Sequence, residues 1–354
     1  MTPAPELYVT NFNPRFTGVS ATAAAVLAEQ ARGMAAVLVG HALPGCPAPV
    51  SRAKALALSR LPPPGRPFAI WHVRRNSEMQ LALFARDVLR RPIRIVFTSA
   101  AQRRHSAWPR WLIGRMDAVI ATTEAAAAFV PGCRAVVPHG VDTTRFSPAP
   151  DRRAAWAATG LPGDYGILTV GRIRPEKGTD LFVRAMIRAL PRLPGATAVV
   201  AGLAKAGDDA FLAALKAEVA AAGLSGRILF PGEVPPDRMP ALMQGARLLV
   251  ALPRYEGYGV TPIEAMACGV PILATRTGHF EEFAGRPGGN DQAGEIVALQ
   301  DWQAAAEGAV ALLTDAPRHA ALSAAARDRA QHLFGVAREA AGIGAVYDAL
   351  WSEG

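Results

Sequence analysis

Short apolar runs alternate with longer, helix-patterned segments along the whole chain. In the first 150 residues the apolar runs predict buried strands at Leu7–Thr10, Ala35–Gly40, Phe68–Trp71, Ile93–Thr98, Ala118–Ala121 and Ala135–Val137. Helical patterns fall between several of these strands, as at Ala21–Arg32 and Ser77–Leu89. Continuous apolar strands that alternate with helices indicate parallel sheets covered on both faces.

The rest of the chain repeats this rhythm. Strands are predicted at Ile167–Val170, Thr197–Ala201, Ile228–Phe230, Leu248–Leu252 and Val270–Ala274. Helices are predicted at Lys177–Leu190, Asp209–Ala222, Pro236–Gly245, Pro262–Ala267 and Phe334–Trp351. A polar, proline-bearing break at Phe146–Asp151 then predicts two α/β, Rossmann-like, doubly wound domains, 1–150 and 151–335. Ligands of such sheets bind outside the carboxyl ends of the strands, so we expect the domains to face each other across a cleft.

Charge is distributed unevenly over these two halves. The net charge is +9, but residues 1–150 hold 18 Lys and Arg against 7 Asp and Glu, a balance of +11, and the remainder holds 20 against 22. This asymmetry predicts an anionic partner for the first half, the alternative being arginine used as ordinary surface charge. No zinc-finger, RNP or basic-zipper signature points to nucleic acid. The sequence also shows no membrane-spanning run or signal peptide, and its three scattered cysteines predict a reducing cytoplasm.

The strongest chemical signal is the segment Glu256–Glu264, between a predicted strand and a predicted helix. Gly257 and Gly259 allow a close backbone approach to a ligand, and a helix N-terminus binds a diphosphate through free N–H groups and its dipole. Glu256 can accept hydrogen bonds from sugar hydroxyls, and Glu264 from a ribose diol. Thr261-x-x-Glu264 is also a capping box, which predicts that loss of Glu264 costs stability as well as binding.

A second cluster, Gly171–Gly178, also follows a strand. Arg172 offers a planar fork and Lys177 a point charge for a phosphate, the alternative being two solvated surface charges. A cation at a helix N-terminus opposes the dipole, so an anion between them would explain Lys177.

Gly-Arg…Lys-Gly at 171–178, followed by Glu-x₇-Glu at 256–264, resembles family 4 retaining glycosyltransferases of the GT-B fold, as do the stretches 137–148 and 264–271. The resemblance implies that Glu256 binds the hexose of a nucleoside-diphosphate sugar, Glu264 its ribose, and Arg172 and Lys177 its diphosphate. One departure is Leu252-Pro253-Arg254-Tyr255, since such proteins often have Pro-Ser two to four residues before the first glutamate. The predicted donor site comprises Gly18, Gly171, Arg172, Lys177, Glu256, Gly257, Tyr258, Gly259, Val260, Thr261 and Glu264. No Asp-x-Asp occurs, so we expect neither a metal nor another cofactor.

The first half is expected to present the acceptor. His72 follows a predicted strand and is a catalytic candidate beside Glu256, Arg172 and Lys177, the alternative being a structural histidine. Gly18 could let the backbone pass close to the transferred sugar. The predicted acceptor-binding residues are Arg74, Arg75, Arg103 and Arg104.

The stretches 71–79 and 98–105 resemble those of bacterial lipopolysaccharide core mannosyltransferases. This implies GDP-mannose as donor and a Kdo residue on lipid A, an anionic glycolipid, as acceptor. The +11 charge would then also hold the protein peripherally on the anionic inner face of the cytoplasmic membrane, and the last helix, about 336–354, would return to the first domain. The alternatives are a UDP-sugar-dependent glucosyl- or galactosyltransferase, a phosphorylase of the same fold, and a basic nucleic-acid-binding protein on a Rossmann-like scaffold.

Overall fold

The computed structural model describes residues 4–354. They form two units: one runs to Gly140 and includes Phe334–Gly354, and the other is Val141–Leu333. The boundary thus falls ten residues before the predicted one, because residues 141–150 pack into the second unit. Phe146 is buried there, and Arg327 donates to its carbonyl oxygen at 3.0 Å.

The first unit is built on a six-stranded parallel sheet in the order β2-β1-β3-β4-β5-β6. The strands are β1 Leu7–Asn11, β2 Ala36–Gly40, β3 Ala69–Val73, β4 Ile93–Ser99, β5 Ala118–Ala121 and β6 Cys133–Val136. They are short and mostly apolar, as expected of parallel strands covered on both faces. All six overlap a predicted strand.

Helices cover both faces of this sheet. They are α1 Gly18–Gln30, α2 Arg52–Leu58, α3 Asn76–Leu83, α4 Ala107–Ile113, α5 Glu124–Ala127 and α14 Val336–Ser352, and a π-helical turn, Phe84–Val88, continues α3. The last of them, α14, packs against α1. Its Trp351 is buried and donates from Nε1 to the carbonyl oxygen of Phe68 at 3.0 Å, which fixes the end of the chain on the first sheet.

The second unit repeats the layout with the sheet order β12-β11-β10-β7-β8-β9, again all parallel. Its strands are β7 Tyr165–Val170, β8 Ala196–Ala201, β9 Ile228–Gly232, β10 Ala246–Ala251, β11 Ile272–Thr275 and β12 Gly294–Val297. Five of them overlap predicted strands. The sixth, β12, escaped prediction because it is a four-residue edge strand that begins with glycine and carries a glutamate.

The second sheet is also covered by helices. They are α6 Arg152–Ala158, α7 Thr179–Ala189, α8 Asp209–Ala221, α9 Met239–Gly245, α10 Val260–Ala267, α11 Phe280–Ala284, α12 Trp302–Thr314 and α13 Ala316–His332, with 3₁₀ turns at Pro175–Lys177, Leu190–Arg192 and Ala206–Asp208. Within residues 4–354, no helix combines the length and the apolar character needed to cross a membrane.

Each sheet has one point at which the strand order reverses: between β1 and β3 in the first unit and between β7 and β10 in the second. At such a point the connections leave in opposite directions and open a crevice at the carboxyl ends of the strands. The loops that follow β7 and β10 carry the two polar clusters identified in the sequence.

Candidate active site

The loops after β7 and β10 meet closely at the switch point of the second sheet. Gly178 lies in the left-handed region with φ +66°, and a Cβ there would overlap the carbonyl oxygen of Leu252. Only glycine therefore allows the first loop to approach the end of β10 this closely. The contact brings the Lys177 and Glu256 loops together.

Lys177 and Glu256 form an ion pair. Nζ of Lys177 lies 2.5 Å from Oε2 of Glu256, and both side chains are largely buried. The other carboxylate oxygen of Glu256 accepts from the Gly257 amide at 3.1 Å, and the Glu256 amide donates to Oγ1 of Thr277 at 3.3 Å. Glu256 is therefore fixed through both its backbone and its carboxylate. The sequence predicted both residues in one site but not their direct contact.

Arg254 is a structural element of this site that the sequence did not reveal. Its guanidinium makes a two-pronged ion pair with Asp180 at the start of α7, at 2.8 and 2.7 Å, and its amide donates to the carbonyl oxygen of Glu176 at 2.9 Å. Burial acts to raise the pKa of Asp180, but the hydrogen bonds and charge of Arg254 outweigh it and hold that pKa below its usual value. Arg254 thus ties the loop of Glu256 to the loop of Lys177. The only sign of this role in the sequence was that Arg254 lies in the stretch that departs from the family pattern.

We expect Arg254→Ala to loosen both loops. The largely buried Asp180 carboxylate would lose its main partner, at a cost of about 1–3 kcal/mol in the free energy of unfolding, and misplaced loops would lower kcat by roughly 10–100-fold. Urea denaturation and steady-state kinetics measure the two effects. Arg184→Ala is the matched control, because Arg184 lies 3.8 Å from the same carboxylate on an exposed helical face. An Arg254→Ala enzyme as stable and active as the Arg184 variant would contradict this role.

The capping box predicted for α10 is absent. The helix begins at Val260 with Gly259 as its N-cap, so Thr261 already lies inside the helix and Glu264 is beyond the capping position. Gly259 has φ +86°, and a Cβ there would overlap the ring of Phe280. The physical reason is that glycine, with no side chain, can turn the chain two residues earlier than the predicted threonine cap. The first-turn amides of Val260 and Thr261 have no partner within the helix and mark its positive end.

Glu264 is half-buried at the fifth residue of α10. Burial raises the pKa of its carboxyl to about 7, and the positive charge of Arg145 opposes this rise. The carboxyl is therefore part-protonated near neutral pH. It can donate as well as accept a hydrogen bond, which suits a diol partner.

The raised pKa predicts a specific dependence of stability on pH. When folding raises the pKa of a carboxyl, its contribution to stability is fully present at pH values below the pKa of the unfolded state. For Glu264 this contribution is lost as the pH rises through the folded-state pKa of about 7. Relative to Glu264→Gln, the wild type should lose about 3 kcal/mol of unfolding free energy between pH 4.5 and pH 8. Urea denaturation of both proteins at several pH values measures the difference. Exposed Glu233→Gln is the control, and curves for Glu264→Gln parallel to wild type would refute the prediction.

The remaining predicted donor residues differ in what they offer a ligand. Arg172 and Gly171 are exposed directly after β7. A Cβ at Gly202 would overlap the carbonyl oxygen of Gly171, so a glycine at the end of β8 allows the two strand ends to approach. The side chain of Tyr258 is buried and stacks on His279 with ring centroids 5.1 Å apart. For Tyr258 only the backbone can contact a donor.

His72 does not face a ligand, contrary to expectation. Strand β3 continues through Val73, so His72 lies inside the sheet and is fully buried. Its ring nitrogens are 2.5 Å from the Tyr347 hydroxyl and 2.7 Å from Oγ1 of Thr98. Burial, with the nearby charge of Arg74, lowers its pKa well below the usual value. A neutral histidine with both nitrogens bonded links β3 to β4 and α14, and we replace the catalytic assignment with this structural one.

Three of the predicted first-unit residues, Gly18, Arg74 and Arg75, lie in or beside the loops after β1 and β3. Arg75 hydrogen-bonds Glu78, Asn11, Thr17 and Ser20 at 2.9–3.3 Å, so an acceptor would have to compete with these partners. Gly18 is exposed at the first position of α1. Arg74, in contrast, is buried, and none of its three guanidinium nitrogens has a hydrogen-bond partner among residues 4–354. Arg103 and Arg104 are exposed in the loop after β4.

Comparison with known proteins decides the family. A family model described as glycosyl transferases group 1 matches residues 152–329, half of the chain. The chain is 44% identical over 347 residues to the lipopolysaccharide core biosynthesis mannosyltransferase LpsB of Rhizobium meliloti, covering 98% of this chain and 97% of LpsB. This protein is a group 1 glycosyltransferase. The glycosyltransferase is also 40% identical to the lipopolysaccharide core biosynthesis mannosyltransferase LpcC of Rhizobium leguminosarum, over 98% of this chain and 96% of that one.

Solved structures agree on the fold. The glycosyltransferase superposes on Anabaena HepE, solved in complex with UDP and glucose, with a TM-score of 0.82, 18% identity and coverage of 98% of this chain and all of that one. The C-terminal domain of LpcC from Francisella tularensis matches 55% of the glycosyltransferase with 31% identity and a TM-score of 0.52, over 99% of that domain. The predicted GT-B fold and glycosyltransferase activity are therefore confirmed. No group of three or more His, Cys, Asp or Glu side chains that could hold a metal ion occurs within residues 4–354.

Proposed function

We propose that this glycosyltransferase moves mannose, with retention of anomeric configuration, from GDP-mannose to a Kdo residue of the lipid A inner core. The observation that carries the proposal is the near full-length similarity to LpsB and LpcC, both named lipopolysaccharide core mannosyltransferases. The sequence identity of 40–44% extends through both units. It therefore covers the unit that would bind the acceptor as well as the unit that would bind the donor.

The geometry of the second unit suits a nucleoside-diphosphate sugar. Negative charge builds on the departing diphosphate while the anomeric carbon becomes positive. Lys177, Arg172 and the positive end of α10 can stabilise that diphosphate electrostatically. The same Lys177 holds the Glu256 carboxylate in place, where it would accept hydrogen bonds from sugar hydroxyls, and Glu264 would bind the ribose diol.

We further propose that diphosphate departure requires no metal. Two protein cations and a helix N-terminus would provide the compensating positive charge, and the sequence has no Asp-x-Asp. Turnover should therefore be unaffected by EDTA. A requirement for added Mg²⁺ or Mn²⁺ would count against this part of the proposal.

The first unit suits an anionic glycolipid acceptor. A buried guanidinium without a hydrogen-bond partner carries a large desolvation cost, and a carboxylate or phosphate is the partner that would offset it. Arg74 is therefore the favoured acceptor-binding residue, with exposed Arg103 and Arg104 as further phosphate contacts. The +11 charge of residues 1–150 also favours peripheral attachment to an anionic cytoplasmic membrane face.

The test is an incubation with Kdo-lipid A and a panel of sugar nucleotides. We expect GDP release and a product heavier by one hexose only with GDP-mannose, and an α-linked product by NMR. An inert GDP-mannose with active UDP-glucose would establish a UDP-sugar transferase instead. Release of mannose 1-phosphate in place of GDP would indicate a phosphorylase.

A further inference from the structure

Four large apolar side chains are exposed close together on the first unit. Trp108 and Trp111 of α4 are each 52% exposed, and Phe84 and Val88 of the π-helical turn are 44% and 63% exposed. We call these four residues the α4 surface. Solvent-exposed tryptophan is uncommon, and two on one short helix indicate a binding surface rather than chance.

The helix α4 is apolar on both sides. Leu112 and Ile113 are buried against the sheet, whereas Trp108 and Trp111 stack on each other with ring centroids 5.1 Å apart and an interplanar angle of 10°. The inward residues already anchor the helix. The outward tryptophans are therefore not needed for packing within the unit, and the stacking holds them as one rigid apolar platform.

The two parts of the α4 surface are joined through Arg115. Its guanidinium lies 5.8 Å from the centre of the Trp111 ring and donates to Asp87 at 2.9 Å, beside Val88. Arg86 donates to the Arg115 carbonyl oxygen at 3.0 Å. Arg115 thus contacts both the tryptophan platform and the π-helical turn, which places them on neighbouring parts of the surface.

This surface is surrounded by positive charge. The segment 84–117 contains eight arginines and two acidic residues, Asp87 and Asp117, which are paired with Arg86, Arg94 and Arg115. The exposed arginines are Arg90, Arg94, Arg103, Arg104, Arg110 and Arg115. Amphipathic tryptophan side chains prefer the headgroup level of a bilayer, and arginines around them attract anionic lipids.

We propose that the α4 surface docks the enzyme on an anionic phospholipid bilayer, with the two tryptophans inserted among the headgroups. The proposal deepens the proposed function, since a lipid-anchored acceptor must be reached at a membrane. A nucleic acid fits this surface less well. The two tryptophans stack on each other, so each has only one ring face left for a base, and the exposed Val88 and Phe84 extend the apolar area beyond what base stacking uses.

The test is co-sedimentation of the full chain with vesicles of phosphatidylcholine alone or with about a third phosphatidylglycerol. We expect binding to the anionic vesicles only, with a blue shift of tryptophan fluorescence. The double variant Trp108→Ser/Trp111→Ser should lose the fluorescence shift and bind the vesicles at least tenfold more weakly than wild type. The double variant Arg104→Ala/Arg110→Ala should lose roughly fivefold in vesicle affinity for each arginine removed. Leu61→Ser/Leu203→Ser is the matched control, because it removes two exposed apolar side chains elsewhere and should bind like wild type.

Unchanged vesicle binding by the double tryptophan variant would overturn the proposal, as would binding to duplex DNA without binding to vesicles. A transfer assay on a soluble Kdo oligosaccharide separates this result from the proposed function. The tryptophan variant should retain wild-type turnover there. Wild type that docks through its tryptophans but transfers no mannose would refute the proposed function and support the docking surface.

Discussion

Glu256→Ala should lower kcat by about 10²–10³-fold while leaving the fold intact, which is the usual effect of removing one preorganised polar contact to a reacting group. Two features of the structure argue for this. The carboxylate is held between Lys177 and the Gly257 amide, at 2.5 and 3.1 Å, so it is already oriented before a donor binds. Its contacts also lie within two loops and not in the hydrophobic core, so stability should change little. The measurement is release of the nucleoside diphosphate under saturating donor, beside urea denaturation.

A matched control separates the chemistry from the loss of a charge. Glu307 is likewise an ion-paired carboxylate of the second unit, with Arg188 and Arg192, but it lies exposed on α12. Glu307→Ala should keep wild-type turnover. If Glu256→Ala keeps it as well, Glu256 is not the residue that binds the reacting sugar. Glu256→Gln should have an intermediate effect, since the glutamine keeps one hydrogen-bond-accepting oxygen but has no negative charge to pair with Lys177.

Arg172→Ala and Lys177→Ala should each lower kcat by about 10²–10³-fold, because each removes a positive charge from the proposed site of the departing diphosphate. The two effects should differ in character. Arg172 is exposed after β7, so its loss should affect only the phosphate contact. Lys177 also holds Glu256, so its loss should additionally leave the Glu256 carboxylate less well oriented towards the sugar.

A double-mutant cycle tests this coupling. Lys177→Ala combined with Glu256→Ala should be much less harmful than the product of the single effects, because the two side chains contact each other. Arg172→Ala with Glu256→Ala should be closer to multiplicative. Arg184→Ala, an exposed cation on α7, serves as the control and should retain wild-type kinetics. Full activity of either single variant would remove that cation from the mechanism.

Much of the site could be predicted because its signals are local. Gly178 and Gly259 stand where the chain needs a positive φ, and a glycine there is visible in the sequence. The carboxylates and cations follow apolar runs that predict strands, and strand ends are where doubly wound sheets bind ligands. The same locality explains why the capping-box prediction for α10 was wrong. Thr261-x-x-Glu264 has the spacing of a capping box, but Gly259, two residues earlier, caps the helix instead.

The errors concern residues whose environment is built by distant segments. His72 looked like a ligand because the apolar run ended at Trp71; β3 in fact continues, and Tyr347, 275 positions away along the chain, covers its ring. Arg254 had no recognisable partner in the sequence, since Asp180 lies 74 residues away. Neither contact has a signature within its own stretch of chain.

The sequence by itself determined the fold class, the family, the strands that carry the site and the excess of positive charge in the first half, because apolar periodicity, glycine positions and composition are properties of short segments. Only the tertiary structure decided that Lys177 pairs with Glu256, that Arg254 ties their loops, that His72 is internal and that two tryptophans of α4 are exposed. These facts depend on β7 lying beside β10 and on which face of each helix packs against its sheet. Such choices are made by the burial of the whole core and not by any local pattern.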